Sequence, residues 1–164
     1  MGTACQVHGS RVVLRQLHKE DIEDYLKAFS PAVMQVLHVT SCDEERRYLE
    51  AVCADHDFGQ FFFVIIEASS NAIIGGIQIR DPERCASQCY CWINELYWGT
   101  GYFHEAVALA ADEYFKHTGH TFIRAHVDID NKRSYKAFKK EGFADFALVA
   151  GPYGQQYALI LRKK

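Results

Sequence analysis

Between Arg11 and Leu17 apolar and polar positions alternate, with Val12, Leu14 and Gln16 set against Val13 and Arg15, the period of a strand. His18–Phe29 changes to a helical stripe of Ile22, Tyr25, Leu26 and Phe29, with acids Glu20, Asp21, Glu23 and Asp24 in its early turns. Ser30-Pro31 closes that helix and opens a short one through Leu37. Ser41–His56 predicts a third helix, capped by Ser41 or Asp43 and carrying Tyr48, Leu49, Val52 and Cys53. Phe61–Ala68 is a continuous apolar run, the pattern of a strand buried on both faces. Ser69-Ser70-Asn71 turns it back into Ala72–Arg80, a hairpin partner that holds Gly75-Gly76. An aromatic-rich strand follows at Gln88–Asn94. Phe103, Ala106, Val107, Ala110, Ala111, Tyr114 and Phe115 then mark an amphipathic helix over Tyr102–Thr118. Thr121–Asp128 reads as a strand, Asn131–Glu141 as a helix ended by Gly142, and Phe143–Ala150 with Gln156–Arg162 as a closing hairpin. The order is strand, helices, three meandering strands, helix, strand, helix, hairpin. It predicts one α+β or mixed α/β domain over residues 1–164 rather than a run of βαβ units.

Composition narrows the class. With 164 residues and 49% hydrophobic content the chain is long enough for a full core, and 11 Gly and 3 Pro exclude collagen-like and low-complexity chains. No apolar run approaches the roughly 20 residues that span a bilayer, and Met1–Ser10 is polar, so the expectation is a cytoplasmic protein that does not engage the membrane. A net charge of −3 argues against nucleic acid as the main partner. The charge is uneven: residues 1–82 hold 7 Lys and Arg against 12 Asp and Glu, residues 83–164 hold 11 against 9. A cationic partner for the first half and an anionic one for the second would match this. The six cysteines (Cys5, Cys42, Cys53, Cys85, Cys89, Cys91) and eight scattered histidines show no paired zinc spacing, so reduced thiols and no metal are expected.

Two segments carry candidate chemistry. In Cys91–Tyr102 a strand runs through Trp92-Ile93-Asn94-Glu95 into Trp98-Gly99-Thr100-Gly101, and a long helix begins at once. Glycines leave backbone N–H groups open to a ligand, and the helix start adds unpaired donors suited to phosphate. No Gly-Lys-Ser/Thr follows, and no third glycine completes a dinucleotide fingerprint. In Asp128–Phe143, Asn131 and Ser134 share a face at a helix start, and Lys132, Arg133, Lys136, Lys139 and Lys140 lie on the same helix.

Together these segments resemble the GNAT superfamily of acetyl-CoA-dependent N-acetyltransferases, closest to the ribosomal-protein N-terminal acetyltransferase subgroup. Trp98-Gly99-Thr100-Gly101-Tyr102 followed by Glu105-Ala106, and Asn131-x-x-Ser134 leading to Gly142-Phe143, match that subgroup's pattern. The resemblance implies the GNAT fold, a mostly antiparallel twisted sheet of six to seven strands flanked by about four helices. It implies acetyl-CoA as co-substrate, without a metal, and an amine acceptor, either a protein N-terminus or a small cationic molecule. The Trp98–Tyr102 loop would bind the pyrophosphate. Trp92, Ile93 and Asn94 would pair with the pantetheine arm, and Asn131 would bond it. Ser134 would lie near the sulfur as proton donor, with Tyr135 as substitute. Lys132, Arg133 or Lys136 would meet the 3′-phosphate. The N–H of Ile93 or Asn94 would hold the oxyanion. Glu95 or His126 is the expected base, with Glu67 and Asp81 as further candidates. The chain departs from the superfamily pattern at Leu96, where Gln or Arg is common, and at Lys139, where many members carry a Tyr acid. The second departure keeps a non-catalytic acyl-CoA-binding or regulatory module as the alternative.

Overall fold

A computed structural model describes residues 6–80 and 87–164. Cys5, Cys85 and the candidate base Asp81 lie outside the described residues. Eight strands form one sheet: β1 (Gln6–His8), β2 (Val12–Gln16), β3 (Phe62–Glu67), β4 (Ile73–Arg80), β5 (Gln88–Ile93), β6 (Phe122–Asp128), β7 (Ala144–Gly151) and β8 (Gly154–Arg162), in the order β1-β2-β3-β4-β5-β6-β8-β7. Every neighbouring pair is antiparallel except β5 with β6. The helices are α1 (Ile22–Ala28), α2 (Pro31–Leu37), α3 (Cys42–Ala54), the single turn α4 (His56–Gly59), α5 (Tyr102–His117) and α6 (Lys132–Lys140). This is the expected α+β architecture, with one strand more than the pattern predicted. Gln6–His8 holds one half-buried apolar residue, and its strand character comes from pairing with Val13–Arg15 across a tight turn. The one-turn α4 is likewise too short to show a helical period.

The apolar run of β3 divides between two cores. Phe63 and Ile65 join Val12, Leu14, Ile77, Ala106, Ala110, Ile123 and Ala125 beneath α5. Phe62, Val64 and Ile66 join Tyr25, Leu26, Phe29, Leu49, Val52 and Trp92 beneath α1 and α3. Strand alternation sends neighbouring side chains to opposite faces, so a sheet covered on both sides needs such an unbroken apolar strand. Ala106 and Ala110 are fully buried, which lets α5 pack closely on the sheet.

The arrangement that positions a site is the junction of β5 and β6. Their single register pair is Gln88 with Arg124, reinforced by Arg124 N–H to the Ser87 carbonyl at 2.6 Å. Beyond that point the two strands part. Because they are parallel, both point their C-terminal ends into the opening, and the helices that follow, α5 and α6, start at its mouth.

Candidate active site

The opening is a slot. Cys91, Trp92 and Ile93 form one wall and Asn131, Ser134 and Ala137 the other, with α2 residues Val33, Val36 and Leu37 above. In an antiparallel ladder, residues alternate between facing one neighbour strand and the other. Asn94 N–H donates to the Ile74 carbonyl at 2.9 Å, which fixes the phase against β4. Ile93, opposite Gly75, therefore turns its N–H away from β4 and towards the slot, and Cys91 does the same two residues earlier. The Ile93 carbonyl accepts from Trp98 Nε1 at 2.8 Å. Of the two amides named for the oxyanion, Ile93 is the one left open to the slot. The Asn94 side chain is also engaged, accepting from Leu96 N–H at 3.0 Å and donating to the Ala28 carbonyl at 2.9 Å.

The glycine loop closes one end. Gly99 and Gly101 both hold positive φ, +76° and +88°, and Gly101 caps α5. Left-handed backbone of this kind turns consecutive N–H groups towards one point and suits an anion at a helix start. Trp98, Gly99 and Gly101 line the slot, whereas Thr100 and Tyr102 brace the loop from behind. Arg11 Nη1 donates to the Thr100 carbonyl at 2.6 Å, and its guanidinium lies 4.1 Å over the Tyr102 ring. The Tyr102 hydroxyl donates to Glu67 at 2.7 Å. Glu67, one of the candidate bases, is thus an anchor on the far side of the loop. Hydrogen bonds from Ser70 and Tyr102 hold its carboxyl below the usual range.

On the opposite wall Asn131 caps α6, its Oδ1 accepting from Ser134 N–H at 3.1 Å. The Ser134 hydroxyl forms no hydrogen bond with a described residue and lines the slot. Tyr135 turns the other way, donating to Asp145 at 2.9 Å and packing on Tyr157 with centroids 4.5 Å apart. Lys139 also pairs with Asp145, at 2.9 Å. The Arg133 guanidinium carbon stands over Trp98, 3.2 Å from the ring centroid, and burial lowers its pKa. Lys132 reaches the Tyr157 hydroxyl at 3.5 Å, while Lys136 is exposed and pairs with no described residue.

The expected bases are placed differently. Glu95 accepts the Ser30 hydroxyl and so ties the end of β5 to the cap of α2; it does not line the slot. His126 sits half-buried on β6, one residue along from the α5-side core positions Ala125 and Val127, and it too is absent from the slot wall. Burial, then the Arg124 charge, lowers its pKa and keeps the ring neutral. Glu105 accepts from the Arg11 and Val12 amides at 2.9 and 3.4 Å, pinning the β1–β2 turn to α5. Burial alone would raise its carboxyl, but these donors and Ser10 outweigh it and hold the group low.

The roof over the slot was not foreseen from sequence. Val33, Val36 and Leu37 recur at helical spacing, and only Val33 is fully buried, so a stripe is left for the slot. At the end of α2, His38 Nε2 meets the Asp128 carboxylate at 2.6 Å, and Gln156 donates to its other oxygen at 2.8 Å. These bonds fasten the roof helix to the end of β6. Among the described residues no group of three or more His, Cys, Asp or Glu is placed to hold a metal, and no helix is long and apolar enough to cross a membrane.

Parted parallel strands, an open strand amide and a glycine-capped helix start make a slot whose shape and donors suit an extended, phosphate-bearing ligand. The acetyltransferase (GNAT) domain model matches residues 11–144, and the chain belongs to that family, the acetyl-CoA-dependent GNAT acetyltransferases. The fold is similar to that of a GNAT-family acetyltransferase from Bacillus anthracis, with TM-score 0.83 and 18% identity over 96% of this chain and 98% of that one. It is also similar to a ribosomal L7/L12 alpha-N-protein acetyltransferase in complex with coenzyme A, with TM-score 0.81 and 14% identity over 97% and 98% of the two chains. An aminoglycoside acetyltransferase in complex with coenzyme A gives TM-score 0.75 and 16% identity over 92% and 94%. No curated protein matches the chain.

Proposed function

We propose that the protein transfers the acetyl group of acetyl-CoA to a primary amine by direct attack in a ternary complex. The observation that carries this reading is the Ile93 N–H turned into a slot whose far wall presents the unpaired Ser134 hydroxyl. Attack on a thioester develops charge on the carbonyl oxygen, and a fixed donor there is worth roughly a hundredfold or more in rate. The departing thiolate needs a proton, and Ser134 stands where a donor would be wanted. Gly99 and Gly101 with the start of α5 suit the pyrophosphate, and Asn131 and Arg133 line the same slot, while Lys136 is exposed on α6 outside the lining.

The acceptor is a cationic amine, either a protein N-terminus or a small molecule. The acidic first half of the chain, which supplies α1 to α3, favours positive charge. The test is release of free CoA thiol from acetyl-CoA with spermidine, kanamycin and a lysine-free peptide bearing a free α-amine. Acetyl-dependent CoA release with at least one amine is expected. Tight acetyl-CoA binding without release to any of them would instead make the domain a non-catalytic acyl-CoA-binding module, the reading favoured by Lys139 where many relatives carry a Tyr acid.

A further inference from the structure

Beside the slot, on the α3 face of the sheet, lies a second cavity of about 300 Å³. It meets the slot at Leu37, Cys91 and Trp92, which line both. Its floor is one face of two strands, with Gly76 opposite Trp92 and Gln78 opposite Tyr90. Its roof is α3, where Tyr48 donates to Gln78 at 2.6 Å. Gly76 lets the Tyr25 ring and the Trp92 indole pack directly against the floor at the inner end. A Cβ there would lie 2.8 Å from the Tyr25 ring and 3.0 Å from Trp92 Nε1.

One carboxylate is tied to that inner end. Trp92 Nε1 donates to the Tyr25 hydroxyl at 2.7 Å, and the hydroxyl donates to Glu45 Oε1 at 3.1 Å. Trp92 immediately precedes Ile93, whose N–H faces the slot. Glu45 is half-buried, and its Oε2 has no hydrogen bond or ion pair to a described residue. The neighbouring carboxylate is spent otherwise, since Glu44 accepts from Thr40 N–H and hydroxyl at 3.1 and 2.6 Å.

We propose that this cavity receives the acceptor and that Glu45 holds its ammonium group and removes its proton. The inference rests on the acetyl-transfer reading above. The ammonium gives one proton to the Glu45 carboxylate, and the freed nitrogen lone pair forms the N–C bond to the thioester carbon. The C–S bond then breaks with its electron pair on sulfur. The second N–H proton balances the thiolate by way of the donor at Ser134, and Glu45 passes its own proton to solvent. Burial, aided by the Glu44 charge and opposed by the Tyr25 hydrogen bond, pushes the Glu45 carboxyl up, closer to the range where a base works at neutral pH. Tyr25 on α1 is pushed well above its ordinary value by burial, so it stays protonated and keeps donating. The other titratable groups facing Glu45 are Glu44 and Tyr48 on α3, with Arg80 on β4 and Tyr90 on β5 at the outer end.

The experiment compares wild type, Glu45→Gln and, as a charge-matched control on the same helix, Glu50→Gln, with the three amines named above. For any amine the wild type acetylates, Glu45→Gln is expected to lower kcat/KM at least about 100-fold at pH 7, a loss of general-base assistance. Acetyl-CoA affinity should stay within about twofold of wild type and Glu50→Gln should match wild type throughout. The deficit should narrow towards pH 10, where an α-amine is already neutral and a larger share of an alkyl amine is neutral than at pH 7. A smaller Glu45→Gln deficit at pH 7, or one as large at pH 10 as at pH 7, overturns the assignment and leaves acetyl transfer standing. If the wild type releases no CoA with any amine, acetyl transfer falls instead, and calorimetric titration of the amines with CoA present decides the cavity. Amine binding lost in Glu45→Gln supports it, and equal or absent binding in both proteins overturns it.

Discussion

Ser134 owes its place to a cap. Asn131 takes the Ser134 amide at 3.1 Å, and this closes the first turn of α6 so that the hydroxyl faces the slot while Tyr135 faces β7. Ser134→Ala should therefore lower kcat by about 100-fold, the low end for a lost proton donor, with acetyl-CoA affinity held within twofold. Tyr135→Phe should leave kcat unchanged and lower the Tm only slightly through the lost exposed bond to Asp145. Steady-state kinetics, calorimetry and thermal melts on the two variants check the pair. Equal losses of kcat would remove the distinction between the two hydroxyls. At this scale the sequence was legible only to within a residue. Ile93 and Asn94 are equivalent in a string of letters, and what separates them is the register against β4, since a shift of one residue exchanges which amide faces the slot. Glu95 is a candidate base because it precedes the glycine loop, and His126 because it shares a polar strand face with Arg124 and Asp128. Their side chains are directed elsewhere by Ser30 and by the alternation of β6.

The elements were far more legible, because periodicity survives without knowledge of partners. The α5 stripe, the cap at Ser41, the doubly buried β3 and the closing hairpin all follow from local pattern. What escaped was short or depended on tertiary pairing, namely β1, α4 and the exposed stripe of α2. The loop before α5 shows how an element depends on single residues. Gly101 caps the helix at φ +88°, a region that costs an L-residue about 1–2 kcal/mol. A Cβ there would also lie 3.3 Å from Arg11 Nη1, the group that braces the Thr100 carbonyl. Gly101→Ala is expected to destabilise the protein by about 1–2 kcal/mol in denaturant melts and to weaken acetyl-CoA binding more than that strain alone would. The extra loss follows because the amides leave the direction that suits an anion. A variant that lost stability but kept its affinity would show that the loop conformation does not serve the phosphate.

At the scale of the whole molecule, the site is a gap in a sheet that is otherwise fully paired, so stability and function draw on different charges. Glu45 shows one sign. Its folded pKa is raised, so the native state binds the proton more tightly than the unfolded chain does. Stability is therefore highest below the ordinary 4.5, falls as pH rises through the raised folded pKa, and carries the full cost above it. Glu45→Gln keeps an oxygen for the Tyr25 hydroxyl and loses the charge, so its Tm at pH 7.5 should equal or exceed that of wild type even as activity drops. A lower Tm would mean that the carboxylate is held for structural reasons. His126 shows the opposite sign. Burial and Arg124 lower its pKa below the ordinary 6.5, so the native state favours the neutral ring. Its contribution is present above 6.5 and is lost as pH falls, because the unfolded chain takes up a proton that the native site resists. Other groups contribute to the pH dependence of the wild-type melt, so that melt alone does not isolate the His126 contribution. The difference between wild type and His126→Gln does. The Tm of wild type relative to the variant should fall steadily from pH 7.5 to pH 5. A constant difference across that range would place His126 in an environment that does not distinguish its two forms.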